Sequence, residues 1–183
     1  LYPNFYKLYS EGISFKNNYS PRNSCATGNN EFSGMTSLYT IQNNCTANIY
    51  SNNKYFTSIF NLFKNAGYKT SSMHDYTEQY YVRHIIHKNL GSDAYYNVND
   101  LNIPYYNEYK NWASDEDFMN AAMDITLTDT SSPYMLWLTT VSPHQPYNQS
   151  SVEGDKYLSI TEGTDYSMDL RRYMSKLKTF DNS

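Results

Sequence analysis

Tyr134 to Val141 reads Tyr-Met-Leu-Trp-Leu-Thr-Thr-Val, a nearly unbroken run of apolar and β-forming residues. A strand with one wet face alternates apolar and polar side chains. This run does not, so it needs cover on both faces, as in the middle of a parallel sheet. Parallel strands must be joined by crossovers, usually helices, and the sequence supplies suitable segments. Residues 55–66 form an amphipathic helical pattern ending at Gly67, and an extended run from Tyr68 to Met73 follows, stopping at His74-Asp75. Residues 115–127 place Phe118, Ala122 and Ile125 on one helical face, and a last helix is predicted from Asp165 to Phe180. Helices alternating with buried strands predict an α/β layered fold.

The N-terminal third carries shorter signals. Pro3, Phe5, Leu8, Tyr9 and Gly12 predict a short helix over 3–12. Ile13, Phe15 and Tyr19 give a brief extended run ended by Ser20-Pro21. A second helix is predicted from Thr27, with Thr27 as its cap, polar Asn29, Asn30 and Glu31 in the first turn, then Phe32, Met35 and Tyr39. Residues 41–54 are polar and Asn-rich and read as a loop. There is no internal repeat.

Composition removes several classes. The chain has 183 residues, a formal charge of −4 and 21 tyrosines. So many aromatic residues argue against disorder. No block of Lys or Arg supplies the basic footprint of a duplex nucleic-acid binder. No stretch approaches the roughly 20 apolar residues that span a bilayer, and the first residues lack a signal-peptide pattern. The opening Leu-Tyr-Pro-Asn and an end inside a helical pattern read as an excised piece. Cys25 and Cys45 permit one disulfide, but two free thiols fit the spacing as well. Asn18-Tyr-Ser, Asn44-Cys-Thr and Asn148-Gln-Ser match the glycosylation acceptor pattern, which chance accounts for in so Asn-rich a chain.

Open α/β sheets bind ligands at the carboxyl ends of their strands. Two of the four histidines stand there: His74 after the strand ending at Met73, and His144 after the strand ending at Val141. Thr27 opens a helix beside Gly28, where a hydroxyl faces the positive end of the helix dipole and an anion is stabilised. Taken alone, Thr27 reads first as an ordinary N-cap. Arg83 is either a bidentate phosphate clamp or a surface residue. His84 and His87, three apart on a helix, have no Cys or carboxylate in a metal-ligand pattern and read as a solvated face.

Together these segments become specific. Asn23-Ser-Cys-Ala-Thr-Gly-Asn-Asn-Glu-Phe32 followed by Thr36-Ser-Leu-Tyr39 resembles the nucleophile segment of lipoteichoic acid synthases, phosphoglycerol transferases of the sulfatase/alkaline phosphatase superfamily. Residues 3–19 and 58–70 resemble the segments on either side, so the likeness runs in order along nearly the whole chain. It implies a sulfatase/alkaline phosphatase-like sandwich, a central mostly parallel sheet flanked by helices. Residues 1–183 would be the central part of one extracellular catalytic domain, with the first strand and the C-terminal metal-ligand segment missing.

The resemblance makes Thr27 the nucleophile and a ligand of the catalytic metal. His74, Tyr81 and Arg83 match the family's His, Trp and Arg that contact the phosphoglycerol group, and His144 matches a His near the transferred phosphate. Tyr81 replaces a Trp, and Tyr76 stands where the family has an acidic residue, which bears on head-group choice. A divalent cation, Mn²⁺ or Mg²⁺, is expected, its other ligands outside the chain. The expected partners are a phosphatidylglycerol-type lipid and a glycerophosphate-polymer or glycolipid acceptor, with no nucleic acid. The expected location is the outer face of the cell membrane, through upstream transmembrane helices. Three alternatives stand beside this one. A sulfatase would use Cys25, although Ala26-Thr27-Gly28-Asn29 after it lacks the usual Pro and Arg. The others are a phosphoethanolamine transferase of the same superfamily and a non-catalytic cell-envelope binding module.

Overall fold

The computed structural model describes residues 1–20, 23–41, 43–106 and 112–183. Helix α1 covers Pro3–Glu11, with the proline in its first turn, where a missing N–H costs nothing. Residues 13–19 are irregular and exposed rather than a strand, with no pairing partner among the described residues; Pro21, read as the end of that run, lies outside the described residues. A 3₁₀ turn at Asn23–Cys25 leads directly into α2, Ala26–Thr36. Within 41–54, read as loop, Thr46–Ile49 forms a single helical turn, α3. Helix α4, Ile59–Asn65, starts later than the pattern predicted because the Ser58 hydroxyl caps it by accepting from the N–H of Asn61. Gly67, at φ 86°, makes the left-handed exit that leads into β1, Lys69–His74.

Helix α5 covers Arg83–Asn89 and strand β2 Ala94–Tyr96. Strands β3, Tyr105–Tyr106, and β4, Trp112–Ala113, form a small antiparallel pair. Helix α6, Asp115–Leu127, keeps the predicted bounds, with Ser114 as cap and acidic Asp115, Glu116 and Asp117 in its first turn. Strand β5 is Tyr134–Thr139. The short helix α7, Val152–Lys156, and the long α8, Met168–Asn182, close the chain.

The main sheet has the order β2-β1-β5, all parallel, with His74 opposite Thr139 at its carboxyl edge. Strand β1 is the central strand, and β5, expected in the middle, pairs on one side only among the described residues. Its apolar run is nevertheless covered on both faces. Met135 and Trp137 join Met35, Phe60, Ile86 and Leu90 of α2, α4 and α5. Leu136 and Leu138 turn the other way, onto Met73 and onto Phe118 and Ala122 of α6. The result is a three-layer α/β/α sandwich whose sheet ends deliver His74 and the loop after Val141.

Candidate functional site

Thr27 sits in the first turn of α2 with its residue exposed. It is not the cap. Cys25 holds that position, because the preceding 3₁₀ turn runs straight into the helix. Cys25 and Cys45 form a disulfide with a Cα separation of 4.8 Å, which ties the start of α2 to the start of α3. The Asn29 amide reinforces the tie: its oxygen accepts from the N–H of Thr46 and its nitrogen donates to the Asn44 carbonyl, both at 2.9 Å. Ala26, immediately before Thr27, has φ 33°, outside the usual region for a residue with a Cβ.

Strain recurs opposite. Tyr81 and Val82 have φ 57° and 47° at the kink between the 3₁₀ turn Tyr80–Val82 and α5. Such conformations persist only where the surroundings fix them. Here they turn the Tyr81 ring onto α2, where a Cβ on Gly28 would fall 2.9 Å from Tyr81 Cδ1. Tyr81 also lies 4.5 Å from the Tyr80 ring, centroid to centroid, and the Arg83 guanidinium lies over both rings.

Arg83 is not a surface residue. It is 1% exposed, and Nε and Nη2 donate to the two Glu31 oxygens at 2.9 and 2.6 Å. Nη1 donates to the Tyr80 carbonyl at 3.3 Å. Three of the five guanidinium N–H groups are thereby engaged. Glu31, read from sequence as a polar first-turn residue, is buried instead. Burial alone would raise its pKa, but hydrogen bonding to His87 and the charge of Arg83 hold it down to about 2. His87 is buried too, 3.8 Å from Glu31, so the solvated face predicted for it is wrong. Its partner lies on another helix, 56 residues earlier by the numbering (87 − 31), which local pattern cannot show. His84 is half-buried, with Nδ1 2.8 Å from the Glu78 carbonyl.

His74 ends β1 and is 2% exposed. Its Nδ1 lies 2.8 Å from the Thr139 carbonyl, which can only accept, so Nδ1 carries the proton. Burial, and after it the charge of Arg83, lowers its pKa to about 4, and the ring is neutral at pH 7. Next to it, Asp75 and Asp115 are both buried; burial raises the Asp75 carboxyl, and burial together with the Asp75 charge raises that of Asp115. Asp115 Oδ1 accepts from the N–H groups of Val141 and Ser142, each at 3.0 Å, fixing the loop that leaves β5. His144 is exposed on that loop, its N–H bonded to the Val141 carbonyl and its own carbonyl accepting from Lys176 Nζ, both at 2.9 Å. The structure thus gathers Arg83, His87 and, through Thr139, His74 around Glu31, with Tyr81 beside Arg83, Thr27 one turn away on α2 and His144 on the loop after β5.

Among the described residues, no three His, Cys, Asp or Glu side chains converge as a metal site. Thr27 stands without such a group, so these residues by themselves do not fit a divalent cation.

A three-layer sandwich around a parallel sheet agrees with the sulfatase/alkaline phosphatase fold. The chain belongs to the sulfatase family, whose match spans residues 1–182. It is similar in structure to the lipoteichoic acid synthase LtaP from Listeria monocytogenes, with TM-score 0.81 and 20% identity over 99% of this chain and 43% of that one. A protein in the alkaline phosphatase superfamily from Vibrio parahaemolyticus gives TM-score 0.56 and 18% identity over 82% of this chain and 36% of that one. The chain therefore spans less than half the length of either. No curated protein matches it. Among the described residues, no helix is long and apolar enough to cross a membrane.

Proposed function

We propose that these residues are the central part of an extracellular, metal-dependent phosphoglycerol transferase domain of the lipoteichoic acid synthase type. The observation that carries this reading is the placement of Thr27: an exposed residue in the first turn of α2, beside Gly28, which lies under the Tyr81 ring, and one turn from the Glu31–Arg83 pair. The first-turn N–H groups of a helix favour an anion, which suits a phosphate brought to Thr27.

In the first step Thr27 Oγ1 attacks phosphorus of a phosphatidylglycerol-type lipid. The Oγ1–P bond forms, the bond to the diacylglycerol oxygen breaks, and the threonine proton ends on the released hydroxyl. In the second step a hydroxyl of a glycerophosphate polymer or glycolipid attacks phosphorus, the P–Oγ1 bond breaks, and its proton returns to Thr27. The charge of Arg83, buried behind the site, and His144 stabilise charge on the phosphate oxygens; His74 and Tyr81 orient the glycerol. Superfamily members usually use divalent metal ions. Mn²⁺ or Mg²⁺ is the expected ion of the whole protein, with Thr27 its ligand among these residues and the others outside them. Membrane anchoring belongs to the whole protein as well.

The disulfide speaks against the sulfatase alternative, because Cys25 bonded to Cys45 offers no thiol for conversion to formylglycine. The test is Thr27→Ala in the full-length protein, which should abolish transfer from labelled phosphatidylglycerol without lowering the melting temperature. Transfer at the wild-type rate would overturn the reading.

A further inference from the structure

We propose that Glu31 is a positioning residue for transfer at Thr27, an inference that rests on the phosphotransfer reading above. Thr27 and Glu31 are four residues apart on α2 and share a face that runs from solvent into the core within one turn. Glu31 Oε1 accepts from Arg83 Nη2 at 2.6 Å and from the Thr139 hydroxyl at 3.4 Å. Its Oε2 accepts from Arg83 Nε at 2.9 Å, with His87 Nε2 at 3.8 Å. The carbonyl of the same Thr139 holds His74 Nδ1 at 2.8 Å. One carboxylate thus references three candidate site residues, on α2, α5 and β1, to a single point.

Glu31 acts through these groups and not on substrate. It is 8% exposed, and the space it shares with Gly28, Tyr81, Arg83 and His87 is about 10 Å³, room for a water and not for a phosphate. A fork-to-fork Arg–carboxylate pair fixes direction as well as distance. A buried ion pair adds little net stability over apolar residues of the same size, because desolvation opposes the attraction. What the pair supplies here is geometry: it sets the rotation of α2 about its axis, and with it the aim of the Thr27 hydroxyl relative to Arg83 and His74.

The experiment compares full-length wild type, Glu31→Asp and the double variant Glu31→Gln/Arg83→Gln. After mixing with phosphatidylglycerol vesicles, glycerophosphate on Thr27 is followed by mass spectrometry, alongside the melting temperature. The double variant removes both buried charges at once, so it should melt close to wild type. Adduct formation at saturating lipid should fall about 100-fold, the scale of a misplacement near 1 Å, while half-saturation moves less than about threefold. Glu31→Asp, which keeps the charge and shortens its reach, should slow adduct formation about tenfold at unchanged melting temperature. Wild-type rates in a folded double variant would overturn the proposal. Should the double variant fail to fold, a wild-type rate in Glu31→Asp overturns it alone. Transfer by wild type with no Thr27 adduct is the distinct result that removes the phosphotransfer reading itself.

Discussion

His74 Nδ1 lies 2.8 Å from the carbonyl oxygen of Thr139, directly across the β1–β5 pair. That bond fixes the tautomer and leaves the buried Nε2 as a lone pair. The pKa near 4, set first by burial and then by Arg83, gives the pH prediction its sign. A histidine whose folded pKa is depressed binds protons more readily when unfolded, so stability drops as pH falls from about 6.5 toward 4. ¹⁵N chemical shifts should show a neutral Nδ1–H ring from pH 8 down to about 5. A ring charged at pH 6 would contradict the assignment.

The Cys25–Cys45 disulfide closes a loop with a sequence separation of 20. A loop of this size stabilises by about 3 kcal/mol. Cys25→Ser/Cys45→Ser should therefore lower the melting temperature by roughly 6–12 °C, and dithiothreitol should do the same to wild type. Transfer should also weaken, because the bond holds the residue that caps α2, two positions before Thr27. A variant that melts like wild type would show that the Asn29 contacts alone hold the loop.

Much of the sandwich was legible locally. Helix α6 announced itself by Ser114, three acidic residues and the Phe118, Ala122, Ile125 face, and all of these act within one turn of their own backbone. The double cover of β5 was legible too, since an apolar run states its own need for burial. The strand order was not, because nothing in Tyr134–Thr139 says whether one neighbour or two will pair with it. The site divided the same way. Thr27, His74, Arg83 and His144 drew notice by their places along the chain, and the family resemblance gave them and Tyr81 their expected roles. Glu31 and His87 were missed because each looks polar and solvated in its own helix; only the packing of α2 on α5 buries them together. No signal local to either helix pairs Glu31 with Arg83, which the sequence left as either a phosphate clamp or a surface residue.

Asp75 and Asp115 face each other beneath the β1 and β5 ends, with His74, Glu153 and Ser142 around them. Burial raises Asp75 to about 7, and burial with the Asp75 charge raises Asp115 to about 8. A carboxyl raised in the folded state favours folding while it stays protonated, so this contribution is lost as pH rises through 7 to 8. The melting temperature should decline from pH 6.5, above which His74 no longer opposes the trend, to about 8. Asp115→Asn keeps an oxygen for the Val141 and Ser142 N–H groups and should flatten that decline. A wild-type melting temperature that is level or rising over this range would contradict the raised Asp75 and Asp115 carboxyls.

Gly28→Ala tests the contact between α2 and Tyr81. By helix propensity alone, alanine in the first turns of α2 should stabilise by up to about 1 kcal/mol. The new Cβ, however, would meet Tyr81 Cδ1 at 2.9 Å and Cys25 Sγ at 3.3 Å. Neither can yield easily: the sulfur is in the disulfide, and the ring is pinned by its backbone and by Tyr80. Overpacking of this kind costs about 1–3 kcal/mol, so the clash should win and the melting temperature should fall by a few degrees. Tyr81→Ala removes the ring, and the double variant should then lose less than the sum of the single changes. Additive losses, or a Gly28→Ala protein more stable than wild type, would place Tyr81 away from α2.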